Sequence, residues 1–130
     1  MDFYDPLSKD ASASDAALEA GAASAVRPLE AVARATGKPV VFAEAGYPSV
    51  RGAWIAPHEE NSGRPPAPGD AGRAIAAVFR ALSGKAWWKG VYWWKVFSSG
   101  QGARDNDRGY NLLGTPAEKA IAQGFSGIGR

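Results

Sequence analysis

The segment PVVFAEAGYPS, residues 39–49, ends an apolar run on a carboxylate, Glu44, and follows it with glycine, tyrosine and proline. A charged group at the end of an otherwise buried strand costs desolvation unless something satisfies it or uses it. Tyr4 and Tyr47 supply phenols, and Trp93 and Trp94 supply indoles, each close to the end of a segment with strand character. In parallel α/β folds, ligands gather beyond the carboxyl ends of the strands. A carboxylate, phenols and indoles gathered on that edge have the chemistry of a sugar site. Aromatic faces stack on the apolar faces of pyranose rings, and a carboxylate can attack or stabilise an oxocarbenium-like centre. The competing role for Glu44 is structural, as a strand-end carboxylate that accepts backbone amides. For the tryptophans it is packing, and at least one of Trp87 and Trp88, and one of Trp93 and Trp94, are expected in the core.

The elements that would carry these residues alternate along the chain. DFYD, residues 2–5, is the end of a short strand. An Ala-rich helix is expected from Asp15 to Thr36, capped by Ser14 or Asp15 and stopped by Gly37, with Pro28 as a kink or a second start. Leu29, Val32 and Ala33 give its second half an apolar face. VVFA, residues 40–43, has the β-branched and aromatic character of a strand covered on both faces. The stretch from Pro48 to Gly69 holds five prolines and no periodicity, and a loop of that length is either functional or disordered. Ile75, Val78, Phe79 and Leu82 recur at helical spacing over residues 70–84, with Asp70 as N-cap and Gly84 as stop. GVYWWKVF, residues 90–97, is a third strand. Thr115, Pro116 and Glu118 form a capping box with proline at the first helical position. That last helix is expected to end at Ala122, leaving residues 124–130 as a flexible tail. Strand and helix alternating in this way specify α/β architecture with parallel pairing and right-handed crossovers.

Composition excludes several classes. The chain has 130 residues and 45% hydrophobic content, enough for a packed domain. A net charge of +2, with its bases scattered, lacks the basic face that nucleic acid requires, despite a pI near 9.0. There is no cysteine, so disulfides and thiolate zinc sites are ruled out. No apolar run approaches the ~20 residues that span a bilayer, and MDFYDPLSKD lacks the regions of a signal peptide. His58, Glu59 and Glu60 are adjacent rather than spaced to converge on a metal, so they are expected to be a solvated loop. DNDRG, residues 105–109, has the glycine of a calcium loop one place early and Pro116 where the bidentate glutamate belongs, so a turn is expected. No metal and no cofactor is implied.

Three segments carry a family resemblance. GKPVVFAEAGYPSVRGAWIAPHE resembles the nucleophile segment of glycoside hydrolase family 113, DFYDPLS its strand-six segment, and GVYWWKVF its Trp-bearing strand eight; the closing YNLLGTPAEKAI resembles its final loop and helix. The resemblance covers nearly the whole chain in the family's order. It implies a partial (β/α)8 TIM barrel, with three strand–helix units equivalent to units six to eight, and residues 1–130 as the C-terminal part of a catalytic domain. It implies a retaining hydrolase acting on β-mannan or a related β-linked glycan, with Glu44 as nucleophile. Tyr4 would hydrogen-bond the nucleophile or the sugar, and Tyr47 would stand beside it as a further substrate contact. Trp94 would form the floor of the subsite; strand alternation puts Trp93 on the opposite face.

The family's acid/base glutamate follows an asparagine, and no Asn-Glu pair occurs in this sequence. A retaining mechanism needs two carboxyls ~5–5.5 Å apart, and a whole barrel needs ~200 residues or more. The resemblance therefore implies a fragment that is inactive alone, with Met1 as an internal start or a fragment boundary, so the compartment is left open. It also implies partnership with a separately encoded N-terminal barrel part, or self-association. Two readings of other classes compete: a non-catalytic carbohydrate-binding module built on the aromatic platform, and a small α/β interaction domain complete at this length.

Overall fold

The computed structural model describes residues 1–60, 63–98 and 108–128. Six elements follow one another: β1 (Asp2–Phe3), α1 (Asp15–Thr36), β2 (Val40–Ala45), α2 (Pro68–Leu82), β3 (Trp88–Trp93) and α3 (Pro116–Ile128). The strands form one parallel sheet in the order β1-β2-β3.

Local chemistry accounts for most boundaries. Ser14 caps α1 through its hydroxyl, which accepts the Ala17 N–H, and Gly37 closes it in the left-handed conformation at φ 65°. Pro28 stays on the exposed side and α1 runs through it as one element. Helix α2 starts two residues before the expected Asp70. Pro68 takes the first turn, where a missing N–H costs nothing. The Asp70 carboxylate instead accepts the Gly52 N–H at 2.8 Å, tying the preceding loop to the helix. Strand β3 begins two residues earlier than expected, because Val40 pairs with Trp88, and ends at Trp93. Beyond Trp94 the backbone turns to another partner, Lys95 donating to the Tyr110 carbonyl at 3.0 Å. At α3 the capping box is altered. The Thr115 hydroxyl donates to the Leu112 carbonyl, and Glu118 accepts the Gly114 N–H.

The helices cover one face of the sheet. Phe3, Phe42, Trp88 and Val91 meet Leu18, Ala22 and Val26 of α1 and the apolar side of α2. Phe3 stacks on Phe42 with ring centroids 4.7 Å apart, and Phe79 of α2 lies edge-on to Trp88. Helix α2, wedged between α1 and α3, is buried on more than one side. Val32 faces solvent, although Leu29 and Ala33 beside it turn inward. Only one face of β2 is covered, contrary to the expectation from VVFA. Val41 is 41% exposed, Tyr92 on β3 is 72% exposed, and Ala43 is open as well.

The long loop after β2 is packed rather than loose over most of residues 48–57. Trp54 is fully buried, its indole N–H donating to the Asp10 carbonyl at 2.8 Å. Arg73 of α2 lies 5.0 Å over that indole and reaches the Ala13 carbonyl and the Asp15 carboxylate. One arginine thus joins the loop, the start of α1 and α2.

Residues 124–128 belong to α3 and not to a tail. Phe125 packs on Phe79 with centroids 5.2 Å apart, which extends the helix beyond Ala122. Gly124 lies so close to Phe79 that a Cβ there would overlap the ring. Phe79 is itself hemmed in by Trp88 and Trp93 and cannot retreat. Gly124→Ala should therefore destabilise the chain by about 1–3 kcal/mol, although alanine gains about 1 kcal/mol over glycine in helix propensity. The midpoint of urea unfolding checks this; a neutral or stabilising effect would make the segment a tail after all.

Candidate active site

Parallel register brings the proposed chemistry together. Asp2 is level with Glu44 and Phe3 with Ala45, so the residue after β1, Tyr4, emerges beside the end of β2. Between Phe42 and Ala45 the pairing with β3 is irregular, and Glu44 lies inside that irregularity. Such a break re-aims a side chain at a strand end. Glu44 is partly buried, and the Tyr4 hydroxyl donates to its Oε1 at 2.5 Å. That leaves Oε2 without a tyrosine partner. The Tyr4 phenol is pushed well above its ordinary range, first by burial and then by its hydrogen bond to the Glu44 carboxylate. It therefore remains a donor.

Trp93 and Trp94 part as alternation requires. Trp93 turns toward α2, 5.5 Å from the ring of Phe79. Trp94 is 42% exposed, and the Lys95 ammonium stands 5.5 Å from its ring centroid. The Trp94 N–H donates to the Ala45 carbonyl at 2.7 Å, which holds its backbone next to the Glu44 segment. The Trp94–Lys95 peptide is cis. Lys95 also reaches Glu60 at 3.5 Å, linking this edge to the loop after β2.

Tyr47 departs from the expectation for it. It is 1% exposed, and its hydroxyl donates to the backbone carbonyl of Asp5 at 3.4 Å. It braces the β1 end from within the core and does not present its ring to a ligand. Trp54 is likewise core, while His58, Glu59 and Glu60 are exposed. Among the described residues no three metal-ligating side chains converge, and no helix is long and apolar enough to cross a membrane. Residues 105–107 of the DNDRG segment lie outside the described residues.

One residue at the site was not singled out from the sequence. Tyr110 stands edge-on to Tyr4, with centroids 6.4 Å apart, and is almost fully buried. Its only sequence signal is an aromatic in a polar, glycine-rich stretch, where loops rarely spend one without a packing use.

A parallel sheet of alternating strands and helices, with the helices on one face, is the architecture of part of a (β/α)8 barrel. The chain belongs to glycoside hydrolase family 113, whose family model matches residues 1–115. Among solved structures it is similar to the family's β-mannanase AaManA from Alicyclobacillus acidocaldarius in complex with ManMIm, at 28% identity and a TM-score of 0.74, over 96% of this chain and 37% of that one. It shares its fold with two further β-1,4-mannanase structures of the family. One has 23% identity, a TM-score of 0.69 and coverage of 81% and 35%; the other has 21%, 0.72 and coverage of 95% and 37%. No curated protein matches the chain. The chain thus spans about 37% of the length of the mannanase structures it matches, close to three units of an eight-unit barrel.

The buried phenols fix how stability depends on pH. Burial raises the Tyr47 hydroxyl well above 10.0, with the nearby Asp5 charge adding to it, and raises Tyr110 to about 12. Above pH 10 the unfolded chain loses protons that the folded chain keeps. Stability that is complete below that point should therefore fall as pH rises further. For Tyr47 alone the loss should be about 1.4 kcal/mol per pH unit. Urea unfolding between pH 9 and 11 should show the decline, with a shallower slope in Tyr47→Phe.

Proposed function

We propose that this chain supplies the nucleophile side of a retaining glycosidase acting on β-mannan or a related β-linked glycan. The observation that supports it most is the Tyr4–Glu44 pair at the carboxyl end of the central strand, with the exposed Trp94 just beyond the end of the adjoining strand. Family membership narrows the reaction to glycoside hydrolysis. The likeness to AaManA, a β-mannanase, points to the glycan.

In this reading Oε2, the oxygen of Glu44 that Tyr4 does not hold, attacks the anomeric carbon while the bond to the leaving oxygen breaks. That oxygen takes a proton from an acid outside this chain, and a glycosyl ester on Glu44 results. Water then displaces the carboxylate, giving up its proton to the same outside group, so the anomeric configuration is retained. Tyr4 fixes the rotamer of Glu44 by holding one oxygen, and Trp94 carries the apolar face of the sugar. No Asn-Glu pair occurs in the sequence, so the chain alone does not turn over mannan. The missing acid/base comes from five further strand–helix units, in the same or a separate polypeptide. Those units cover the open sheet face at Val41, Ala43 and Tyr92.

The test is complementation. The pure chain should release no reducing sugar from mannan. Mixed or joined with the first five units of a family 113 β-mannanase, it should gain activity that Glu44→Gln lowers on the order of 10³-fold or more. A 2-deoxy-2-fluoro-β-mannosyl fluoride, whose leaving group needs no protonation, should leave a mass adduct on the peptide containing Glu44. An adduct on another residue, or full activity in Glu44→Gln, would reject the assignment.

A further inference from the structure

Among the described residues the segment that carries Tyr110 contributes no strand, yet Tyr110 reaches Tyr4, the end of β2 and the backbone after Trp94. We propose that Tyr110 is the positioning residue of the Tyr4–Glu44 pair, holding the Tyr4 phenol against the carboxylate and fixing the backbone that carries Trp94. The proposal rests on the reading of Glu44 given above.

Four contacts carry it. The ring meets Tyr4 nearly at a right angle, 83°, the favoured edge-to-face arrangement. Against the same ring lies Gly46, two residues after Glu44, where a Cβ would stand 3.0 Å from Cδ1 of Tyr110 and 3.0 Å from the Trp94 carbonyl oxygen. Glycine at 46 is thus what lets the ring approach the end of β2. The Tyr110 carbonyl accepts the Lys95 N–H at 3.0 Å, and the Lys95 carbonyl accepts the Leu112 N–H at 3.2 Å, which clips the residue after Trp94 from both sides. Finally, the hydroxyl donates to the Pro57 carbonyl at 2.5 Å in a buried setting.

A core aromatic needs none of this arrangement. Burial alone would be served by phenylalanine or leucine, but the hydroxyl ties the ring to the loop after β2 and stops it turning. Tyr4 is only partly buried, so its ring depends on such a wall to keep its hydroxyl at Glu44. Burial, with the charge of Glu60 next in effect, raises the Tyr110 hydroxyl to about 12, so the Pro57 bond persists through neutral pH.

The test reads geometry in the isolated chain. Its four tyrosines, labelled with ¹³C at Cζ, give four resonances, and that of Tyr4 is the one absent from Tyr4→Phe. In Glu44→Gln, which removes the charge its hydroxyl meets, it should move upfield toward free tyrosine. In Tyr110→Phe the Tyr4 resonance should move the same way, part of the distance. In Tyr110→Leu it should move further. A merely structural role would lower the melting temperature in both variants and leave the Tyr4 resonance of the folded chain in place. That result in either folded variant overturns the proposal, and if Tyr110→Leu does not fold, Tyr110→Phe decides. No hydrolysis enters the readout, so an error in the nucleophile assignment shows in the complementation and not here.

Discussion

Two residues of β1 lie level with two of β2, Asp2 with Glu44 and Phe3 with Ala45, and the position of the site follows from that register. A slip of one residue would turn Phe3 away from Phe42 and carry Tyr4 away from Glu44 at the same time, because side chains alternate along a strand. The pairing is too short to hold by its own ladder. What holds it is the stacking of Phe3 on Phe42 beneath the sheet and the buried Tyr47 reaching back to the Asp5 carbonyl. The same apolar packing that stabilises the domain therefore sets the placement of the phenol and the carboxylate above it.

A second layer of constraint comes from the loop after β2. Residues 48–60 are fastened by Trp54 to Asp10, by Arg64 to the Gly52 and Ala56 carbonyls, and by Asp70 to the Gly52 amide. The Asp70 carboxylate satisfies the buried Gly52 amide, and the Asp10, Gly52 and Ala56 carbonyls each take a side-chain donor in addition to a backbone one. The loop becomes rigid enough for its Pro57 carbonyl to serve as an anchor for Tyr110. Order propagates from α2 through the loop to the aromatic wall of the site.

The alternation of strands and helices, the parallel sheet and the glutamate at its edge were legible in the sequence because each has a local signature. Ile75, Val78, Phe79 and Leu82 mark a helix by spacing, and VVFAE marks a strand that ends on a charge. The misplacements have equally local causes. Asp70 is a good N-cap by type, but the Gly52 amide claimed its carboxylate and left Pro68 to begin the helix. GFSG at the end of the chain has the composition of a tail, yet the absence of a Cβ at Gly124 is what admits the Phe79 ring beside the helix. Tyr47 follows the glutamate closely enough to share its edge by sequence, but its ring is buried and its hydroxyl reaches the Asp5 carbonyl. Tyr110 was not singled out because its contacts reach Pro57, Gly46 and Tyr4, far back along the chain, and no periodicity reports those.

The open sheet face shows how labour is divided across the site. Val41, Ala43 and Tyr92 lie on the side without helices, while Glu44 already has its partner within the chain. If Glu44 is the nucleophile, its orientation does not wait for the rest of a barrel: Tyr4 supplies the hydrogen bond, and Tyr110 and Gly46 supply the fit. On that reading the proton donor comes from elsewhere. The separation fits the chemistry of retaining hydrolysis, in which attack and protonation of the leaving oxygen are made by two different carboxyls. On the same reading, the supports of the attacking carboxylate lie close together in the fold and inside one polypeptide.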